Sequence, residues 1–150
     1  MRHFFNATLS AAIFAVFFTG DASAEGAKAS LTVSATNFRA DKGQAIVAVY
    51  SSKDAWLKVD RAVQVRKVKI SGKKVDVTFN GLAPGAYAVS VVHDENENGK
   101  LDIRYFPYPR PEEGAGVSND ATATIGPPSW SDSTFRLTDK GGGIRIKVRY

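Results

Sequence analysis

No cysteine occurs in the 150 residues. That excludes disulfide cross-links and thiolate chemistry of every kind, nucleophilic or metal-binding. An exported chain without disulfides has to hold itself by core packing, by a bound ion, or by both. The only methionine is Met1, so the rest of the chain lacks its most easily oxidised side chains. Histidine is scarce too: His3 and His93 are the full set. That leaves one base for any serine nucleophile once the N-terminus is set aside, and no nucleophile elbow surrounds a serine. Gly141-Gly142-Gly143 lacks the Lys-Ser/Thr of a phosphate loop and stands before a strand. The composition therefore reads as non-enzymatic. No apolar run reaches the roughly 20 residues that a membrane-spanning helix needs.

What is present begins with an export signal. Arg2 and His3 precede an apolar run from Leu9 to Phe18, which Gly20 and Asp21 cut short before Ala22-Ser23-Ala24, a small-x-small cleavage site. This pattern predicts a signal peptide over 1–24, cleavage after Ala24, and a single domain over 25–150 that is periplasmic or secreted. Cleavage removes one Arg and one Asp, so the formal charge stays at +5. No transmembrane segment is then left. A basic exported domain suits anionic envelope lipid or polysaccharide as a partner. Lys67, Lys69, Lys73, Lys74, Arg145, Lys147 and Arg149 would form one basic sheet face if the first hairpin and the last strand were neighbours. The competing reading is a solvated face whose lysines guard edge strands. Nucleic acid is disfavoured by export and by the lack of aromatic-basic interleaving.

Most of the chain alternates with a period of two. Leu31 and Val33 alternate with Thr32 and Ser34. Ala45 to Tyr50 is nearly continuous and β-branched, which predicts a central strand covered on both faces. Val68 and Ile70, the Ser71-Gly72-Lys73 turn, then Val75, Val77 and Phe79 predict a hairpin. Tyr87, Val89 and Val91 follow the tight Gly81–Gly85 connection, and Phe135, Leu137, Ile144, Ile146 and Val148 supply the last two strands. Ser52 to Val63 is the one helical candidate, with Ser52 as its N-cap; a loop anchored by Trp56 is the alternative. About seven strands with Gly/Pro punctuation and at most one short helix predict an all-β, antiparallel sandwich.

One stretch carries chemistry. His93-Asp94-Glu95-Asn96-Glu97-Asn98-Gly99-Lys100-Leu101-Asp102 sets oxygen ligands at alternating positions around a tight-turn glycine. Against the EF-hand loop, Asp94, Asn96 and Asn98 stand at positions 1, 3 and 5, and Gly99 at 6. Lys100 would offer its carbonyl at 7, and Asp102 is at 9. Position 12 is Tyr105 instead of a bidentate Glu, and a strand replaces the leading helix. The loop is thus EF-hand-like on a β scaffold, completed by a carboxylate from elsewhere; Glu112 and Glu113 are the nearest. The metal ligands expected are Asp94, Asn96, Asn98, Lys100, Asp102 and Glu113, and the ion Ca²⁺, because hard oxygen donors with two neutral amides suit calcium better than octahedral Mg²⁺. The competing reading is a plain Asx-rich turn around Asn98-Gly99. His93 would then be a strand-end residue packing its ring, and oxygen-seeking calcium gives it no ligand role.

Three segments carry a resemblance: Gly81-Leu82-Ala83-Pro84-Gly85-Ala86-Tyr87-Ala88-Val89, the loop from His93 to Asp102, and Glu113-Gly114-Ala115-Gly116-Val117-Ser118-Asn119. Together with Pro127-Pro128-Ser129-Trp130 they resemble an uncharacterised family of bacterial exported proteins, a domain of unknown function. The resemblance implies an Ig-like or transthyretin-like β-sandwich and export, and it implies no activity. The chain departs from the family pattern at Pro107-Tyr108-Pro109 and at Ala115 and Val117.

Overall fold

Alternating apolar residues build two sheets, and the computed structural model describes them over residues 26–150. The signal peptide expected over 1–24 lies outside the described residues. The strands are β1 (Ala29–Thr36), β2 (Gln44–Tyr50), β3 (Gln64–Lys69), β4 (Lys74–Leu82), β5 (Gly85–Asp94), β6 (Ile103–Arg104), β7 (Arg110–Pro111), β8 (Ala115–Val117), β9 (Phe135–Leu137) and β10 (Gly142–Lys147). One sheet has the order β10-β1-β4 and the other β3-β2-β5-β8, with β9 pairing the start of β5; β6 and β7 form a separate ribbon. All pairings are antiparallel except β1 with β10, which run parallel with Leu31 opposite Gly142 and Ala35 opposite Ile146.

Leu31, Val33, Val77, Phe79 and Ile146 of the first sheet share one core with Ala45, Val47, Val49, Val89 and Val91 of the second. The fold is therefore an all-β sandwich. Among the described residues its core runs from Ala29 to Val148. Strand β2 is buried on both faces, as its continuous apolar run predicts. Its second face is covered at Tyr50 by Trp56, at 5.2 Å between ring centroids, and Trp56 in turn meets Trp130 at 5.9 Å. The Trp56 indole N–H donates to the Pro128 carbonyl at 2.9 Å.

Two expectations are corrected. The predicted hairpin is not one: β3 pairs β2 while β4 pairs β1, so the two strands lie in different sheets. The turn between them crosses the sandwich and is fastened by Asp41, whose carboxylate accepts the Gly72 and Lys73 N–H groups at 3.0 and 2.6 Å. The helix expected over 52–63 is instead two single 3₁₀ turns, Lys53–Ala55 and Val59–Arg61. Ser52 does cap the first, accepting the Ala55 N–H at 3.4 Å, but Leu57 adopts φ +60°, which no continuing helix allows. The only α-helix among the described residues is Trp130–Ser133. Lys67 and Lys69 stand on β3, whereas Lys74, Arg145 and Lys147 flank Thr36 and Ser34 on the other sheet. Among the described residues no helix is long and apolar enough to cross a membrane.

Candidate functional site

Strand β5 runs unbroken into the acidic loop, and its period of two sorts the last two residues onto opposite faces. His93 pairs with Ala45 on the core side, and Asp94 pairs with Gln44 on the other. Both are fully buried. The Asp94 carboxylate accepts three hydrogen bonds: from the Asn98 N–H at 3.0 Å, the Gly99 N–H at 2.8 Å and the Gln44 side-chain amide at 2.9 Å. Asn96 Oδ1 accepts the Asn98 N–H, and Asn98 Oδ1 accepts the Lys100 N–H, each at 3.0 Å. The Asn98 amide donates to both Asp102 oxygens at 3.0 and 2.9 Å, and the Asn96 amide to Oδ2 at 2.7 Å.

Glu113 reaches in from the far side of the hairpin formed by β6 and β7. Nearly buried, it accepts the Glu95 N–H at 2.8 Å and the Asp102 N–H at 3.2 Å. It therefore clamps both ends of the loop. Glu112 stays outside and pairs with Arg104 at 2.7 Å. The six residues expected as ligands thus belong to one hydrogen-bonded unit, with Lys100 entering through its N–H. No group of three or more His, Asp or Glu side chains stands ready to hold a metal ion among the described residues. Each carboxylate instead faces its own N–H donors. The donor set is the kind calcium takes, carboxylate and amide oxygen only. A half-turn of either Asn amide about Cβ–Cγ would replace its Nδ2 by Oδ1 towards Asp102, an exchange of near-isosteric atoms.

The amide donated by Asn98, then that of Asn96, holds the Asp102 carboxyl below the usual carboxylate range. A carboxyl lowered in the folded state stabilises the fold above its unfolded value of roughly 3.9 and loses that contribution as pH falls through the lower, folded value. Acid below the ordinary carboxylate range should therefore free the Asn96 and Asn98 side-chain amides. Their NMR signals, followed from neutral pH to below about pH 3, should shift with Asp102 titration and stay flat in Asp102→Asn. Signals unmoved in the wild type would show that Asp102 does not hold them.

Behind the loop sits a clasp that sequence reasoning missed. His93 Nε2 lies 2.7 Å from the Lys42 carbonyl and Nδ1 lies 2.6 Å from the Tyr150 hydroxyl. A carbonyl only accepts, which assigns the hydrogen to Nε2. The Tyr150 hydroxyl accepts the Arg39 N–H at 2.8 Å and donates to Nδ1. Burial pushes that hydroxyl up, against the opposing Arg39 N–H, so it keeps its proton at neutral pH. Glu95 Oε1 is shielded from water, ion-paired with Arg39 and without a hydrogen bond of its own. Gly43 follows Lys42 at φ +71°, where an added Cβ would meet the backbone of Asp94 and Glu95. Only Gly43 and Gln44 left a local signal, the turn glycine and a polar residue heading an apolar strand.

No curated protein and no solved structure shows significant similarity to the chain. A family model described as "Uncharacterized protein conserved in bacteria (DUF2141)" matches residues 33–145, the span from β1 to β10 that includes the whole loop and Glu113. The chain belongs to that family.

Proposed function

We propose that the protein is an exported binding and structural module, an immunoglobulin-like or transthyretin-like sandwich whose 94–102 loop takes a structural Ca²⁺. Asp94, Asn96, Asn98, the Lys100 carbonyl and Asp102 are the ligands, with Glu113 assisting. One observation carries the reading. Asp94, Asp102 and Glu113 converge on one loop, two of them buried, and none has an ion-pair partner among the described residues. Buried anions held only by neutral donors gain most from a cation. The ion would tie the 103–119 stretch to the sandwich in place of disulfides. Two neutral amides keep the affinity weak, roughly 10⁻⁴ to 10⁻³ M, as in extracellular modules.

The sandwich kinship is supported by Tyr87, whose hydroxyl donates to the Ala83 carbonyl at 2.8 Å, the contact that pins the tyrosine corner of immunoglobulin-like sandwiches. The non-enzymatic reading is supported by His93. Its ring is fully buried and both nitrogens are engaged.

Thermal unfolding of residues 26–150 in millimolar Ca²⁺ against EGTA tests the metal. Ligand at about ten times Kd adds roughly 1.4 kcal/mol by mass action, a rise of several degrees for a domain of this size. The rise should vanish in Asp102→Ala, whose side chain lies at the loop surface, and Mg²⁺ should not reproduce it. An unchanged midpoint in the wild type makes the loop a hydrogen-bonded turn.

A further inference from the structure

The hairpin fed by the loop carries the molecule's most conspicuous unpartnered surface. Ile103 pairs with Pro111 and Arg104 with Arg110, so Tyr105-Phe106-Pro107-Tyr108-Pro109 forms the tip. Tyr105, Phe106 and Tyr108 are 75%, 84% and 61% exposed. Three large rings left in water on one protrusion mark an interaction site. The base of the protrusion is fixed, because the Glu112 N–H donates to the Asp102 carbonyl at 2.9 Å and Glu113 holds the loop beside it.

A second observation adjoins the first. A cleft of about 320 Å³ at the foot of the hairpin is lined by Arg39, Arg104, Arg110, Pro111, Glu112 and Tyr150. Arg104 is paired with Glu112 and Arg39 with Glu95. Arg110 has no carboxylate partner among the described residues, and its guanidinium lies 5.9 Å from the Tyr108 ring. Three guanidinium groups against two carboxylates leave the cleft cationic and suited to a phosphate, which a guanidinium fork binds in bidentate fashion.

We propose that this hairpin docks the protein on an anionic phospholipid surface, the rings settling at headgroup depth while the arginine cleft takes a headgroup phosphate. Tyr105 and Tyr108 favour that depth because one edge of each ring is apolar and the hydroxyl stays wet, and Phe106 between them adds apolar area. Stable docking needs two signals, apolar and basic, and both lie here on one hairpin. A polysaccharide would also stack on the rings, but the tip alternates them with Pro107 and Pro109, whose apolar rings extend the surface that a bilayer takes up. The proposal rests on the reading of the protein as an exported module and is independent of the calcium.

The test uses residues 26–150, because the Leu9–Phe18 run would bind lipid by itself. The protein is sedimented in EGTA with phosphatidylglycerol–phosphatidylcholine vesicles and with phosphatidylcholine vesicles alone. Retention is expected on the first only, and salt should weaken it. Phe106→Ser and Arg110→Glu should each lower it roughly tenfold with unchanged unfolding temperatures, since both side chains are exposed. In Phe106→Trp the emission should move to the blue on vesicle addition, against a wild-type background from Trp56 and Trp130 that stays put. Absence of retention, undiminished retention of Phe106→Ser, or retention on dextran sulfate with none on vesicles overturns the proposal. Because calcium is read by unfolding temperature and docking by sedimentation in EGTA, either reading can fail without the other.

Discussion

Replacing Gly43 by alanine should cost about 4 kcal/mol, a large part of the stability of any domain of this size. Two effects add. At φ +71° an L side chain bears a left-handed backbone strain of about 1–2 kcal/mol. The new Cβ would also stand 2.7 Å from the Glu95 Cα and closer still to the Asp94 carbonyl oxygen. Both are backbone atoms and cannot rotate aside, so the chain must shift, at about 1–3 kcal/mol for forced overpacking. The shift would pull the Lys42 carbonyl from His93 Nε2 and disturb the seat of Asp94. The unfolding midpoint should fall by on the order of 15 °C. Gly72→Ala is the control: φ is +60° there and nothing lies within 4 Å of the added atom. It should bear the dihedral strain alone. Equal losses in the two variants would mean that the close approach of Gly43 to Asp94 contributes nothing.

The elements legible in the sequence are those whose period is long enough to repeat. Strand β1 alternates over eight residues, and Ala45 to Tyr50 declares its double coverage by having no polar position. Strands β6 to β8 are two or three residues long, too short for any period, which is why the sequence predicts about seven strands where ten are found. Alternation also says which face of a strand is buried and nothing of its neighbour. Val68 and Val77 both face the core, yet their strands join opposite sheets. The spacing from Ala55 to Val63 fits a helix, but Leu57 turns left-handed and Trp56 packs on Tyr50. Within the loop, Asp94, Asn96, Asn98, Gly99 and Asp102 were readable because their spacing is local. Glu113 was reachable as one of two acids in the next irregular stretch. Gln44 and Tyr150 meet Asp94 and His93 across 50 and 57 residues, a separation at which no local pattern exists.

Asp94→Ala should be nearly as damaging as the Gly43 substitution, and for a different reason. Removing the carboxylate leaves two part-buried donors without an acceptor, the Gly99 N–H and the Gln44 amide, and leaves the Asn98 N–H with Asn96 Oδ1 alone. A buried donor left unsatisfied costs about 1–3 kcal/mol. The two backbone groups cannot turn to water without unwinding the loop, whereas Gln44 is half-buried and can. With the Gly99 N–H orphaned and the Asn98 N–H weakened, a net loss of about 3 kcal/mol in the absence of metal follows. Asp94→Asn keeps the shape and one acceptor oxygen, but presents an NH₂ to donors on the other side, so it should lose about half as much. Thermal unfolding in EGTA measures both. Amide hydrogen exchange then locates the damage, with Asn98 and Gly99 losing protection while Val33 and Val47 in the core keep theirs. An Asp94→Asn protein as stable as the wild type would show that the charge is not what holds the loop. The site would then have to be rebuilt from the neutral amides of Asn96 and Asn98 outward.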